Sequence, residues 1–191
     1  YDAFIACSSF KEESYIDADG KRRQRTAENA GWAKSFWQDI DCSPEKAEAG
    51  LGYLDVETAT IALNDFLLKT GLPSPMIVHS GGGLHVYWPL AEDIGAKQWI
   101  EVANRLKAVT EAPTSRLIVD KSRTTDLASI LRPIGTHNWK PDYDGPEVTL
   151  ATVGEITAFD DFRLIVDTAH VQFCKGRGST HNTTGVVPAL V

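Results

Sequence analysis

Three consecutive glycines, residues 81–83, divide an otherwise apolar stretch and constrain the fold more than any other feature of the chain. The residues before them, 75–80, and after them, 84–90, form short apolar runs that are typical of strands. Glycine allows the backbone to reverse tightly, because it has no Cβ to clash in a sharp turn. The pattern therefore predicts two strands joined by a glycine turn.

Strand-like and helix-like patterns alternate along the rest of the chain. The most regular helical pattern follows Asp55, a typical N-cap residue, and ends at Gly71. Strands are also predicted at 2–9, 32–42, 116–120, 133–139 and 148–150, and helices at 94–111, 126–131 and 159–171. The steady βαβ alternation of a doubly wound sheet is missing. We therefore expect an α+β fold with mixed or antiparallel sheets, packed helices and a small N-terminal αβ part.

Composition indicates one globular domain, since 42% of the 191 residues are hydrophobic and 24% are charged. We place this domain at residues 1–173 and expect residues 174–191 to be a flexible tail or a linker toward a further C-terminal region. The three cysteines are far apart in sequence and indicate neither a disulfide framework nor a zinc site. The sequence contains no apolar run that could span a membrane, so we expect a cytoplasmic protein.

The net charge of −7 argues against a nonspecific nucleic-acid binder, but basic residues are clustered. Residues 97–140 hold eight Lys or Arg against four Asp or Glu, and residues 21–25 form a second basic cluster. Either region could contact a phosphate backbone. The alternative for residues 21–25 is a solvated hairpin.

The first candidate site is the pair Asp39 and Asp41, within the apolar segment 36–42. Residues i and i+2 of a strand share a face, so both carboxylates point the same way. Like charges so close in an apolar segment favour either a protonated carboxyl or a bound cation, and Mg²⁺ prefers such oxygen ligands. The alternative is an Asp pair that faces solvent at a strand end.

The second candidate site is the glycine turn with its flanking residues Ser80 and His85. Amides of Gly82 and Gly83 could converge on an anion such as a triphosphate, with the Ser80 hydroxyl as a further donor. His85 is predicted at the start of a strand, where it could donate to a phosphate. The alternative is a tight hairpin with an ordinary buried histidine.

The third candidate site begins at Asp120, which follows the apolar residues 117–119. An acid at that position could complete a trio of carboxylates for two metal ions. Asp126 is the competing third acid. Farther along, Arg132 and Lys140 could contact phosphate oxygens, although each could equally be a surface charge.

Taken in order, these segments resemble the catalytic domain of the archaeo-eukaryotic primase superfamily, in particular the primase-polymerases of phages and plasmids. The resemblance covers roughly residues 1–150. The family's motifs are an acid, a hydrophobe and an acid; a small residue, any residue and His; and a hydrophobe followed by Asp. They correspond here to Asp39 with Asp41, to Gly83 with His85, and to Asp120. Many relatives have Ser in place of Gly83, which leaves Ser80 as the source of the hydroxyl.

The resemblance implies a sheet like that of RNA-recognition motifs and template-directed nucleotidyl transfer, as a primase, a DNA polymerase or both, within a phage or plasmid replication protein. It implies a DNA template and primer and nucleoside triphosphates as partners, with a helicase domain in the full-length chain. Two Mg²⁺ or Mn²⁺ ions would be held by the catalytic residues Asp39, Asp41 and Asp120. The residues implied to bind nucleotide are Ser80, Gly82, Gly83, His85, Arg132 and Lys140, and those implied to bind template are Lys121 and Arg123.

Two other functions are compatible with the same residues. An acid trio with two metals serves hydrolysis as well, so a phosphodiesterase or nuclease is one alternative. A replication-initiator module that binds DNA without catalysis is the other.

Overall fold

The computed structural model describes residues 3–140 and 144–175. Its strands are β1 (Ile5–Ala6), β2 (Ser9–Phe10), β3 (Tyr15–Ile16), β4 (Arg22–Arg23), β5 (Ala30–Asp41), β6 (Met76–His79), β7 (Gly83–Gly95), β8 (Ile130–Leu131) and β9 (Thr149–Thr152). Its helices are α1 (Pro44–Glu48), α2 (Val56–Thr70), α3 (Ala96–Glu111) and α4 (Phe159–His170), and a short π-helix at Val171–Lys175 continues α4. Within these residues, no helix is both long and apolar enough to cross a membrane.

A five-stranded sheet in the order β2-β5-β7-β6-β9 forms the body of the domain, and every neighbouring pair in it is antiparallel. Its two longest strands, β5 and β7, are adjacent. β6 and β7 are the hairpin predicted across the glycine turn. Two smaller antiparallel pairs, β1 with β8 and β3 with β4, lie outside this sheet. The α+β class is therefore confirmed.

Both faces of β5 are covered, and the alternation of side chains separates their roles. Phe36, Gln38 and Ile40 are fully buried on the face that meets the helices, where the Gln38 amide donates to the Thr110 hydroxyl of α3. Trp37 and Asp39 alternate with these residues; the Trp37 ring also stacks against Trp99 of α3, with centroids 4.6 Å apart, and its Nε1 donates to the carbonyl of Arg123, 3.0 Å away. Residues after α3 thus cover the face that carries the acids.

Aromatic rings fasten the helices to the sheet. Phe36 stacks against Trp99 of α3 and Phe162 of α4, with ring centroids 5.5 and 4.7 Å apart. α2 has the ends that its sequence predicts: Asp55 accepts a hydrogen bond from the Thr58 amide, and Gly71 adopts the left-handed conformation. This helix could be predicted from the sequence because its 3.6-residue apolar pattern is strong and both of its end signals are clear.

Several predicted elements differ from the structure. Residues 116–120 form no strand, residues 126–131 form a turn and β8 instead of a helix, and residues 133–139 lack a regular strand. The predicted first strand is split into β1 and β2, and residues 3–29 contain no helix, so the expected N-terminal αβ part consists of short strands. The predicted tail lies outside the described residues except for its first two, which continue the π-helix.

Candidate active site

Asp39 and Asp41 lie at the end of β5, and the candidate residues of the glycine turn lie directly across from them on β7. Asp39 pairs with His85, and Asp41 pairs with Gly83. Directly opposite residues of an antiparallel pair point to the same face. His85 Nε2 is consequently 3.9 Å from Asp39 Oδ1. Two segments about forty residues apart in sequence therefore form one surface.

Asp120 joins them at the other edge of β5. Its backbone N–H donates to the carbonyl of Asp39 at 2.7 Å, in the manner of an additional strand residue although the segment is not a regular strand. Asp126 is occupied elsewhere, since its carboxylate accepts from the Ala128 amide and lies 3.5 Å from the Ser129 hydroxyl in its own turn. Of the two competing acids, the structure brings Asp120 to the pair.

The carboxyl of Asp39 shows how close the three acids are. Its pKa is raised to about 7, chiefly by burial and in addition by the charges of Asp41 and Asp120, while Arg123 and Lys140 oppose the shift. Burial also raises the pKa of Asp120, but hydrogen bonds from Ser122 and the charge of Arg123 outweigh it and the net pKa is lowered. The cluster therefore contains one acid that takes up a proton near neutral pH beside one that remains ionised.

The carboxylates at present bind protein partners. Asp41 Oδ2 is 2.8 Å from Lys46 Nζ, and Asp120 Oδ1 accepts from the Ser122 amide and hydroxyl. Over residues 3–140 and 144–175, no group of three or more His, Cys, Asp or Glu side chains is arranged so that it could hold a metal ion. The acids are neighbours, but their oxygens do not face one point.

His85 also lies in a buried and charged environment. Its side chain is 3% exposed, and burial lowers its pKa to about 4, with Arg132 and Lys140 adding to the effect and Asp41 opposing it. The ring is therefore neutral at pH 7. Its Nδ1 is buried without a hydrogen-bond partner in the described part of the chain. A buried ring nitrogen with two cations near it is suited to an anionic ligand.

The conformation of the glycine turn is constrained by packing. Gly81 has a positive φ of 77°, and a Cβ there would meet Pro146 and Asn138. A Cβ at Gly83 would collide with the carbonyl oxygen of Ile40 on β5. Asn138 donates to the carbonyl of Ser80 at 3.2 Å. The turn thus holds residues 132–140 against the end of the β6–β7 hairpin.

Arg132 is positioned by the first described residues of the chain. β1 pairs with β8 immediately before it, with Ala6 opposite Ile130 and Ile5 opposite Leu131. The Arg132 guanidinium lies over the ring of Phe4, 4.7 Å from its centroid. Because Arg132 is only 8% exposed, this stacking fixes a buried cation close to His85.

The two predicted template-binding residues occupy different surroundings. Arg123 Nε is 3.6 Å from Asp120 Oδ2, so this side chain faces the acid cluster. Lys121 is exposed and lies 3.3 Å from Glu111. The basic cluster at 21–25 includes β4 of a hairpin, in which Arg23 binds Asp17, and Arg25 donates to the Ala128 carbonyl.

Sequence reasoning missed two residues next to Asp41. Lys46 lies on α1, which was not predicted, although Ser43 before Pro44 is a recognisable start: the Ser43 hydroxyl accepts from the Lys46 amide. The hydroxyl of Tyr53 accepts from the Ile118 amide at 2.9 Å and connects the loop after α1 to the segment that ends at Asp120. No local pattern pointed to Tyr53, because its partner lies 65 residues away.

This α+β architecture, with its central antiparallel sheet, is similar to that of a solved primase-polymerase domain. The chain is similar to the solved AEP domain of the primase-polymerase (PrimPol) from cyanophage S-2L, with a TM-score of 0.55 at 15% sequence identity. The similarity covers 76% of this chain and 66% of that one, slightly less than two thirds of its length. No protein-family model matches the chain, and no curated protein matches it in sequence. At this level of identity the likeness concerns the fold.

Proposed function

We propose that this domain catalyses template-directed nucleotidyl transfer, as a primase, a DNA polymerase or both, in a phage or plasmid replication protein. The observation that supports the proposal is the contact between a cluster of acids and a cluster of basic residues. Asp39 lies among the carboxylates of Asp41 and Asp120, and its cross-strand partner His85 lies near Arg132 and Lys140. Joining a hydroxyl to a triphosphate needs both: acids to hold cations and basic groups to hold phosphate.

The acid cluster fits divalent metal in its chemistry. All three candidate ligands are carboxylates, the hard oxygen donors that suit Mg²⁺ and Mn²⁺. Burial raises the pKa of Asp39 most, and a cation would relieve the repulsion from Asp41 and Asp120 that adds to it. Binding requires Asp41 to release Lys46 and Asp120 to turn from Ser122, since these contacts hold the carboxylates apart. When bound, such ions supply charge that favours deprotonation of the attacking hydroxyl and stabilises the leaving pyrophosphate.

The basic side of the site would bind the incoming nucleoside triphosphate. Arg132 and Lys140 offer charge to its phosphates, and the neutral ring of His85 lies near both of them. Amides of Gly82 and Gly83 and the Ser80 hydroxyl are further candidate donors. In the reaction a bond forms between the 3′-oxygen and the α-phosphorus, the α–β anhydride bond breaks, pyrophosphate leaves, and the hydroxyl proton passes to water.

DNA is the proposed template and primer, and Lys121 and the basic cluster at 21–25 are the proposed contacts to its backbone. Lys121 is exposed beside the acids, which suits a strand that passes the site. Arg123 points to Asp120, so we assign it a share in neutralising the acids in addition to its proposed template contact. A helicase domain elsewhere in the full-length protein would supply unwound template.

Replacement of Asp41 by Asn tests the proposal. Asn keeps the shape of the side chain but removes its charge, so we expect primer extension on a DNA template with Mn²⁺ to fall by at least about 100-fold, the scale of losing one preorganised electrostatic partner. Asp65→Asn is the matched control, because Asp65 is an exposed acid of α2 paired with Lys69. Product length is read on a denaturing gel.

Two results would contradict the proposal. One is template-independent or absent incorporation by the unaltered protein, and the other is equal extension by the Asp41→Asn and Asp65→Asn variants. Shortening of the primer by the unaltered protein, abolished in Asp41→Asn, would indicate the hydrolytic alternative.

A further inference from the structure

The outer edge of β9 is the longer of the two edges of the five-stranded sheet. β9 follows β6 at the end of the strand order, and all four of its residues are exposed. The opposite edge is β2, which has only two residues. Within residues 3–140 and 144–175, β6 is the one segment that pairs with residues 149–153. We refer to residues 149–153 as the β9 edge.

The β9 edge is held in place at both ends. Just before it, the Val148 amide donates to the Thr136 carbonyl at 2.7 Å, and the Gly135 amide donates to the Val148 carbonyl at 2.8 Å. Just after it, the Glu155 amide donates to the Ser74 carbonyl at 2.9 Å. A ligand therefore meets a strand that is already ordered, which lowers the entropic cost of binding.

The composition of the β9 edge offers little protection against pairing with another strand. Natural edge strands are usually very short, carry charges or proline, or contain a bulge. Residues 149–153 contain neither a charged residue nor a proline, and a single register shift interrupts their pairing with β6. β2, in contrast, is followed directly by three charged residues, 11–13. The sheet is thus protected at the β2 side and open at the β9 side.

Backbone chemistry defines the class of ligand that suits this edge. The outer side of an edge strand presents N–H and carbonyl groups, and an added strand satisfies them with main-chain hydrogen bonds. Leu150 and Val153 are 44% and 76% exposed, and Ile156 just beyond is also exposed. Apolar side chains of an added strand would cover them. The ligand of the β9 edge is therefore an extended peptide segment.

Two acids select the kind of peptide. Glu147 and Glu155 are both exposed and flank the β9 edge, one on each side. A second copy of this chain, paired in antiparallel register about Ala151, would place Glu147 opposite Glu155. Like charges directly opposite each other destabilise such a pair. A strand with Lys or Arg at both ends would instead bring opposite charges together.

We propose that the β9 edge binds a strand of a partner protein, in which a short uncharged segment lies between basic residues. β7 and β6 separate β9 from β5, so the added strand lies about 14 Å or more from the strand that carries the acids, at the usual strand spacing. The candidate active site stays accessible. This inference goes beyond the proposed nucleotidyl transfer and does not depend on it.

Short synthetic peptides test the charge preference of the β9 edge. Each has alternating threonine and valine in its middle, a fluorophore, and either lysine or glutamate at both ends. Binding to the whole chain is measured by anisotropy. We expect the lysine-ended peptide to bind at least about tenfold more tightly at low salt, because both ends change from repulsion to attraction. The difference should shrink as salt screens these charges.

Peptides methylated on backbone nitrogen distinguish strand pairing from attraction between charges alone. Two further lysine-ended peptides carry methyl groups on alternate amides, one on the odd-numbered set and the other on the even-numbered set. A strand bonds to one neighbour through alternate residues. We therefore expect one methylated peptide to lose binding and the other to retain it. Equal binding of the two methylated peptides, whether strong or weak, overturns the proposal.

A charge reversal assigns the binding to this edge. The double variant Glu147→Lys with Glu155→Lys should prefer the glutamate-ended peptide. Glu13→Lys with Glu101→Lys is the matched control: it changes the net charge equally, but these exposed acids lie beside β2 and on α3. It should keep the preference for lysine. Circular dichroism spectra establish that both variants fold. The same change in both variants would mean that the peptide senses only the net charge of −7, and contradicts the proposed site.

Sedimentation of the unaltered protein examines the other occupant of the edge. We expect a monomer at micromolar concentration that binds the lysine-ended peptide. A dimer that this peptide does not dissociate would assign the β9 edge to a second copy of the chain and overturn the proposal. Primer extension is measured on the same samples. Loss of peptide binding with normal extension contradicts only the β9 edge, and peptide binding without extension contradicts only the proposed nucleotidyl transfer.

Discussion

Asp39 and His85 are cross-strand partners whose protonation is shifted in opposite directions. Burial is the first cause for both, since it disfavours the charged form of each. The acid retains a proton up to pH values near 7, whereas the imidazole loses its proton well below its usual range. Each therefore reaches neutral pH with less charge than it would have in water. Such a pair is costly to keep in a fold and is typical of functional sites.

Asp39→Asn should stabilise the metal-free protein, and more so at high pH. The pKa of Asp39 is about 7 in the folded state against an ordinary value of 3.8, so the folded state binds an additional proton between these values. The free energy of unfolding then falls as pH rises through this window, and the penalty is complete above pH 7. Asn carries no such penalty. We expect the variant to melt at least about 2–4 °C higher than the parent at pH 8, the shift for about 1 kcal/mol.

The comparison is made in EDTA by calorimetry at pH 5 and pH 8. The contribution of His85 to the free energy of unfolding has the opposite pH dependence: it is lost as pH falls from 6.5 through about 4. Because His85 is present in both proteins, this contribution largely cancels in the difference. A difference in melting temperature that is the same at both pH values would show that Asp39 does not titrate in this range.

At the scale of residues, the sequence was informative where spacing alone fixes geometry. Asp39 and Asp41 share a face because a strand alternates, and that is what the structure shows. The pairing of Asp41 with Lys46 could not be predicted in the same way, since it depends on the short helix α1 that follows the strand. Arg132 stacking on Phe4 likewise depends on β1 and β8, which lie more than a hundred residues apart.

At the scale of elements, α4 is held to the sheet by one aromatic side chain more than by any other. Phe162 is fully buried, stacks on Phe36 and lies 6.0 Å from the ring of Trp88 on β7. Phe162→Ala should lower the free energy of unfolding by about 3–5 kcal/mol, because it removes ring contacts and leaves a cavity. Urea denaturation followed by tryptophan fluorescence measures the change.

Leu164→Ala on the same helix provides the comparison, since Leu164 is 66% exposed. It should change the free energy of unfolding by no more than about 0.5 kcal/mol. If both variants lose similar stability, α4 is stabilised by its own helical propensity and not by docking on the sheet.

The elements that sequence analysis misassigned share one physical reason. Residues 116–120 have the apolar, β-branched composition of a strand, and they do run beside β5, but they contribute only one backbone bond to Asp39. Residues 126–131 form a turn that ends in β8 because β1 supplies a pairing partner. In both cases a distant segment decides the local conformation, which no window of the sequence contains. α2 was correct because both of its end signals are local.

At the scale of the whole molecule, the acid cluster brings together parts of the chain that are far apart in sequence. Asp39 and Asp41 belong to the central sheet, and Asp120 belongs to the segment after α3, about eighty residues later. In the absence of metal, burial and then repulsion from Asp41 and Asp120 both disfavour the charged form of Asp39 and raise its pKa. A cation held by all three would act as a crosslink between the sheet and the segment that covers it.

Mn²⁺ should therefore raise the stability of the entire domain. A ligand at ten times its dissociation constant adds about 1.4 kcal/mol to the free energy of unfolding, or about 3–6 °C in melting temperature for a chain of this size. The effect should be larger at pH 8 than at pH 6, because Asp39 must lose its proton to bind the ion. Scanning calorimetry at a series of Mn²⁺ concentrations measures it, with Asp65→Asn expected to match the parent and Asp41→Asn to show little shift. Equal shifts in Asp41→Asn and the parent would mean that Mn²⁺ binds elsewhere, and the acids would then need another explanation for their convergence.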